Sequence, residues 1–304
     1  MQRRELLKRG IGLGLGVGVG LTIAPFGAGV AWADEQWVQT WQPADLWSNG
    51  GPTAISFGKV RPFTYLRIQG EADGNRLYVF NPKTQNVAYV DAGLVGPSTP
   101  PSAAYLQGPL VRDTLNLPAR ASGTASLYRE PITDELAWAH DVGHNGTLLV
   151  KDLVESEDGT RWYRMQDGTF ALEDQVRVPA RITPPAGKWI DVALTGPTLV
   201  TAYEDGKALN AAMAIHGIGG WETPVGTFRM FRRVANERMR GPGWDVSNVL
   251  FTQYFTADGA SIHYNYWSSN WGYSGSHGCL GMNYDDSLWF WEWATLGTPI
   301  DIHA

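Results

Sequence analysis

The chain has 304 residues, 43% hydrophobic and 18% charged, with a net charge of −6; that acidic balance argues against a nucleic-acid partner. With 36 glycines, 18 prolines, 14 tryptophans, 12 tyrosines and 10 phenylalanines, the composition favours a turn-rich, mainly β architecture. A lone cysteine, Cys279, rules out an intramolecular disulfide, and beyond the N-terminus no run is apolar enough to span a bilayer.

Residues 1–33 are predicted to be an export signal. Arg3 and Arg4 precede a glycine-laced apolar run from Gly10 to Val30, and Ala31-Trp32-Ala33 supplies a small-residue cleavage site. Twin arginines ahead of such a run indicate the twin-arginine route, with cleavage after Ala33 or retention as an N-terminal anchor. The mature chain is then exported, extracytoplasmic and without a transmembrane domain. It keeps 20 basic against 29 acidic side chains, so it carries no polybasic attachment to anionic lipid.

Two proline-rich stretches, Gly96–Pro101 and Pro179–Gly187, are predicted linkers, because proline disfavours helix interiors and central strands. They set boundaries at 34–101, 102–180 and 187–304. The first two segments contain matching stretches, GNRLYVFNPKTQNVAYVDAGLV (Gly74–Val95) and GTRWYRMQDGTFALEDQV (Gly159–Val176). Each runs as an alternating strand, a turn, a second aromatic strand, then an acidic residue and a valine, the pattern of a β-hairpin. The units resemble bacterial SH3-like wall-associated domains. Tyr78, Tyr89, Trp162 and Tyr163 are either ligand-stacking or core and cross-strand residues, with core favoured. His140 and His144, beside glycine and asparagine, are expected to face solvent.

From Lys188 onward, short strands are predicted at KWIDVAL, PTLVTAYED, KALNAAMAI and VGTFRMFRRV, with Asp205-Gly206 as a turn. Arg233–Val249 is broken by glycine and proline and is expected to be a long lid-like connection. One helix is predicted near the end, capped by Asn283 or Asp285, with Leu288, Trp289, Phe290 and Trp293 as its apolar face and Gly297 ending it.

The chemistry is concentrated in Ser261–Met282. A thiol needs an imidazole or a dipole to ionise, and His263 and His277 flank Cys279. Gly278 frees the backbone so that amides can face a developing oxyanion, worth about 3–4 kcal/mol per donor. His263, His277 and Cys279 are also possible zinc ligands, but His277-x-Cys279 is too tight for the usual spacing and no third ligand is defined, so no metal and no cofactor is expected.

Ser276-His277-Gly278-Cys279, preceded by His263 with twelve residues between it and Ser276, resembles the active-site signature of the bacterial L,D-transpeptidases, the YkuD-type catalytic domain. The segment WETPVGTFRM (Trp221–Met230) and the Trp-rich helix after the cysteine extend the resemblance over most of 187–304. It implies a β-sandwich with one or two short helices, preceded by two small SH3-like barrels. It implies Cys279 as nucleophile, His263 as base and proton donor, and the Tyr264 carbonyl as the group orienting that imidazole. His277 would stand beside the thiol, Gly278 in the oxyanion hole and Ser276 as loop support. Trp267, Tyr273, His216 and Trp244 are candidate substrate-binding residues, with structural roles open for each.

The implied reaction is peptidoglycan cross-linking between third-position residues of stem peptides, with release of D-alanine. Hydrolysis as a carboxypeptidase, or wall binding with impaired catalysis, are the alternatives. Carbapenem β-lactams are the implied inhibitors. The sequence departs from the pattern in two places. Tyr264 and Asn265 replace small residues, which puts a bulky ring near the base, and Gly281 replaces a polar side chain that would brace the loop.

Overall fold

The computed structural model describes residues 36–180 and 186–304; the predicted export signal and most of the second proline-rich stretch lie outside the described residues. The described chain is mainly β. Its first seven strands are β1 (Trp37–Thr40), β2 (Ala44–Trp47), β3 (Ser56–Val60), β4 (Tyr65–Ile68), β5 (Arg76–Asn81), β6 (Asn86–Asp91) and β7 (Val95–Ser98). They form one antiparallel sheet in the order β3-β2-β6-β5-β4-β1-β7. The next seven are β8 (Leu110–Ala121), β9 (Ala125–Tyr128), β10 (Trp138–Val142), β11 (Thr147–Glu155), β12 (Arg161–Met165), β13 (Phe170–Leu172) and β14 (Val176–Arg177). Their order is β10-β9-β13-β12-β11-β8-β14, the first order with every label moved on by seven.

The two matching sequence stretches therefore occupy equivalent hairpins, β5–β6 and β12–β13. Each is followed by one 3-10 turn, Ala92–Leu94 or Glu173–Gln175. Alternation decides the faces: Leu77 and Val79 enter the first core while Tyr78 pairs across the hairpin with Tyr89, ring centroids 5.0 Å apart. In the second sheet Trp162 and Tyr163 are both buried, so the packing role holds there too. The sheets have separate cores, around Leu66 and Val90 in one and Val150 and Met165 in the other.

The first predicted linker is only partly one. Gly96, Pro97 and Ser98 belong to β7, paired with β1, and the short helix Ala103–Gln107 follows shortly after. Proline is tolerated there because β7 is an edge strand with one side of its backbone unpaired.

The C-terminal strands are β15 (Lys188–Ala193), β16 (Leu199–Glu204), β17 (Lys207–Met213), β18 (His216–Gly217), β19 (Gly226–Arg229), β20 (Arg232–Gly241), β21 (Trp244–Tyr254), β22 (Ser261–Tyr264), β23 (Ser274–Ser276), β24 (Leu280–Met282) and β25 (Pro299–His303). One sheet runs β17-β16-β15-β25-β19, a second β20-β21-β22-β24, and β18 pairs with β23. Ile190, Val200 and Ile300 of the first sheet pack with Ile262, Leu280 and Met282 of the second in one core. The helix Tyr284–Trp293 closes it with Phe290, fully buried. Asn283 caps that helix, its side chain accepting from the Asp286 amide at 2.8 Å.

Arg233–Val249 is not the irregular connection its glycines and proline suggested. It lies within the β20–β21 hairpin, turned at Pro242-Gly243, where Pro242 presets φ and Gly243 takes φ +82°.

Candidate active site around Cys279

β22 and β24 run side by side and parallel, with His263 opposite Gly281. Cys279 immediately precedes β24, so strand pairing brings the imidazole to the thiol. The thiol is partly exposed, while His263 is buried. The Ser261 hydroxyl lies 3.5 Å from Sγ, and the Gly259 carbonyl accepts from the thiol at 3.7 Å. His263 Nδ1 sits 2.8 Å from the Tyr264 carbonyl, which can only accept. Nδ1 therefore carries hydrogen and Nε2 is the basic nitrogen.

Burial on its own would push the His263 imidazole down, but its hydrogen bond and charge interaction with Cys279, helped by the Tyr264 carbonyl, hold it above the usual range. Burial likewise works against the Cys279 thiolate; His263, with a smaller contribution from Ser261, overcomes this and holds the thiol below its usual range. Both shifts favour the ionised pair, and the thiolate is the nucleophilic form of a cysteine.

The loop before the thiol is fixed by its own polar groups. Ser276 Oγ donates to the Cys279 carbonyl at 2.6 Å, and the Ile218 amide donates to the Ser276 carbonyl at 3.0 Å. Gly278 has φ +101°, and a Cβ there would come within 3.4 Å of the Glu222 carbonyl. That contact is an ordinary one, so it is the positive φ that makes the turn need glycine.

His277 is exposed, and its ring contacts are indoles: Trp244 stacks on it at 5.3 Å and Trp221 meets it edge-on at 5.2 Å. The β20–β21 hairpin delivers Trp244, and the loop Gly217–Thr223 delivers Trp221. A Cβ on Gly217 would lie 2.0 Å from the Trp221 carbonyl, so that loop also requires its glycine. Sequence reasoning recognised the Trp221–Met230 segment without giving Trp221 a task.

Among the other candidate binding residues, Trp267 stacks on His263 at 5.7 Å and remains half exposed beside the thiol–imidazole pair. His216 instead has its Nδ1 2.8 Å from the Thr198 hydroxyl, and burial holds its imidazole below the usual range. Tyr273 is exposed but stacks on His144 of the second sheet, 5.8 Å away.

The Tyr264 ring does not crowd the base. Successive side chains on a strand face opposite ways, so it turns from His263 and packs edge-on against Tyr284, 5.4 Å away. Asn265 returns to the His263 face and is buried, its Oδ1 accepting from the Trp267 amide at 3.3 Å. A Cβ on Gly281 would sit 2.7 Å from Asn265 Nδ2. The missing side chain at 281 is thus the space that Asn265 fills.

The second sheet reaches this loop, against expectation for His144. His144 Nδ1 accepts from the Gly123 amide at 3.0 Å, which leaves Nε2 to donate to the Trp271 carbonyl at 2.6 Å. Arg120 is buried in an ion pair with Asp286 of the C-terminal helix and donates to the carbonyls of Asn145 and Ala211. The Asn145 side chain in turn accepts from the Met213 amide at 3.1 Å. His140 is exposed, as expected.

Residues 187–302 match the family model of YkuD, the L,D-transpeptidase catalytic domain. L,D-transpeptidase 1 of Mycobacterium tuberculosis (strain ATCC 25618 / H37Rv) is 29% identical over 124 residues, covering 37% of this chain and 49% of that protein. The chain spans about half the length of the curated relatives it matches. Among solved structures, the catalytic domain of the Enterococcus faecium L,D-transpeptidase is 22% identical, with 41% of this chain and 100% of that one covered and a TM-score of 0.36. LdtMt1 in complex with imipenem is 19% identical, covering 64% of this chain and 99% of that one, also at a TM-score of 0.36.

Proposed function

Because residues 187–302 match the family model of the L,D-transpeptidase catalytic domain YkuD, we propose that the chain is an exported peptidoglycan L,D-transpeptidase working through an acyl-enzyme on Cys279. The observation that carries this reading is the buried His263, held at Nδ1 by the Tyr264 carbonyl and interacting with Cys279, the only cysteine of the sequence, across the parallel β22–β24 pair.

The thiolate attacks the carbonyl carbon of the third residue of a stem tetrapeptide. The bond to the terminal D-alanine breaks, its nitrogen taking the proton held by His263 Nε2, and a thioester remains on Sγ. An amine of a neighbouring stem then attacks the thioester and gives its proton to His263, restoring thiolate and imidazolium and leaving a cross-link between third-position residues. Amides at Gly278 and Cys279 stabilise the tetrahedral oxyanion. His277, held between Trp221 and Trp244, walls the cleft, and Trp267 and Trp244 supply faces for the substrate. No metal takes part in these steps. The shared strand order of the two N-terminal sheets supports reading 34–101 and 102–180 as duplicated SH3-like units that attach the enzyme to the wall.

The strained carbonyl of a carbapenem invites the same attack. Intact-mass analysis after incubation should show one adduct on the wild type and none on Cys279→Ser. A disaccharide tetrapeptide should yield cross-linked dimer and free D-alanine. Tripeptide as sole product would make the chain an L,D-carboxypeptidase. No adduct and no turnover, with retained wall binding, would leave only a binding protein.

A further inference from the structure

Between the first and second sheets lies a cleft of about 620 Å³, none of whose lining residues belongs to the site around Cys279. Lys59, Arg61, Lys83 and Arg129 line it against a single carboxylate, Glu130. In a chain with 24 basic and 30 acidic side chains that clustering runs against the overall balance. Glu130 is shared: it forms an ion pair with Arg61 and lies 3.6 Å from Lys83 Nζ. Lys83 also stands 4.0 Å over the Tyr105 ring. Lys59 lies 3.8 Å from Asp45, outside the cleft lining, with half its side chain exposed, and Arg129 is exposed with one guanidinium nitrogen on the Trp138 carbonyl. The cleft thus keeps an excess of positive charge directed at its contents.

The wall of the cleft adds a second feature. β3 is the edge strand of its sheet, paired only with β2, and Phe57–Val60 lie along the cleft. Phe57 is 66% exposed there. An open strand edge offers backbone donors and acceptors to another extended backbone, which a sugar chain or a phosphate polymer lacks.

We propose that this cleft binds an extended, carboxylate-bearing peptide, adding it along the outer edge of β3 with its carboxylates on Lys59, Arg61, Lys83 and Arg129. The geometry is independent of Cys279; the identification of the peptide as a wall stem rests on the transpeptidase reading. The cleft then holds the enzyme on the peptide portion of the wall while the C-terminal domain works on another stem.

The test uses the full mature chain as Cys279→Ser, a fluorescent linear stem tetrapeptide, and the same peptide with its carboxylates amidated. Lys59→Glu with Arg129→Glu, both exposed, should weaken the peptide about tenfold, as should amidation in the unreversed chain. Binding should weaken from about 50 to about 500 mM salt. Hydrogen exchange should show the peptide protecting amides of Phe57–Val60, and a poly(glycerol phosphate) probe should not. In the wild-type background the charge reversals should leave carbapenem acylation of Cys279 at its normal rate, showing an intact fold. Unchanged affinity in the reversed variant, tighter binding of the phosphate polymer, or protection confined to the surroundings of Cys279 would each overturn the proposal while leaving the transpeptidase reading standing. Protection of Phe57–Val60 in a chain that no carbapenem acylates would do the reverse.

Discussion

Replacing Arg120 by methionine should destabilise the whole protein through a residue outside both the Ser276–Cys279 run and residues 187–302. The Arg120 and Asp286 side chains are only 7% and 6% exposed. The variant leaves a buried carboxylate without its guanidinium and strips hydrogen bonds from the carbonyls of Asn145 and Ala211. Breaking a buried pair from one side costs about 3–5 kcal/mol. Asp286 keeps its contact with Asn283, 2.7 Å away, and its place in the first turn of its helix, so the low end, about 3 kcal/mol, is expected. For a chain of this size that is a fall in Tm of about 6–12 °C.

The pH dependence has a definite sign. Burial already pushes the Asp286 carboxyl up, opposed by Arg120. Without Arg120 the carboxyl rises further, so the folded variant prefers the protonated acid. A raised carboxyl loses stability as pH rises through its folded value, and the deficit should therefore shrink on going from neutral toward mildly acidic solution. Calorimetry at both pH values, with the double variant Arg120→Met/Asp286→Leu as control, reads this directly. The double variant should recover most of the loss, because an apolar pair leaves no uncompensated charge. A single variant less than about 1 kcal/mol below wild type at neutral pH, or a double variant as unstable as the single, would refute the reasoning.

Gly281→Ala should cost about 1–3 kcal/mol in urea unfolding, since its methyl meets Asn265 at 2.7 Å, and Asn265→Ala in the same chain should return part of it. Alkylation of Cys279 by iodoacetamide should persist below the pH range of an ordinary thiol and fall as acid protonates the pair; His263→Ala should move that fall to higher pH and slow the reaction at neutrality. His144→Leu removes the anchor on the Trp271 carbonyl and should speed hydrogen exchange across Trp271–Ser274, with turnover reduced severalfold and the thiol still reactive. Exchange unchanged in that segment would show that the second sheet does not brace the loop.

The strands, the capped helix and the juxtaposition of Cys279 with His263 are legible because each is written locally. Period-two alternation marked the hairpins at Arg76–Asp91 and Arg161–Leu172, Asn283 marked a helix start, and the Ser276–Cys279 run with His263 carried a recognisable pattern. The duplication was legible for the same reason. What escaped depends on long-range pairing. A proline and two glycines at 241–243 look like disruption, yet they form only the tight turn of a hairpin whose register is set by cross-strand partners such as Arg232 and Tyr254. His144 looks solvent-facing from its neighbours, and its partners, Gly123 and Trp271, lie 21 and 127 residues away.

The two departures from the family pattern show why position-by-position comparison misleads. Taken one position at a time, Tyr264 counts against the base and Gly281 against the loop. Strand geometry separates the first: Tyr264 and His263 face opposite sides, so the ring serves the packing against Tyr284 and only its carbonyl serves the imidazole. Strand pairing explains the second. His263 lies opposite Gly281, which places Asn265 diagonally across on the same face, and a side chain at 281 would occupy the volume that Asn265 fills. A polar group therefore still packs beside the catalytic strands, contributed by β22's end in place of β24. From there it accepts from the amide of Trp267, whose ring stacks on His263. In this chain the buried amide between the two parallel strands comes from Asn265 at the end of β22, and Gly281 on β24 leaves room for it.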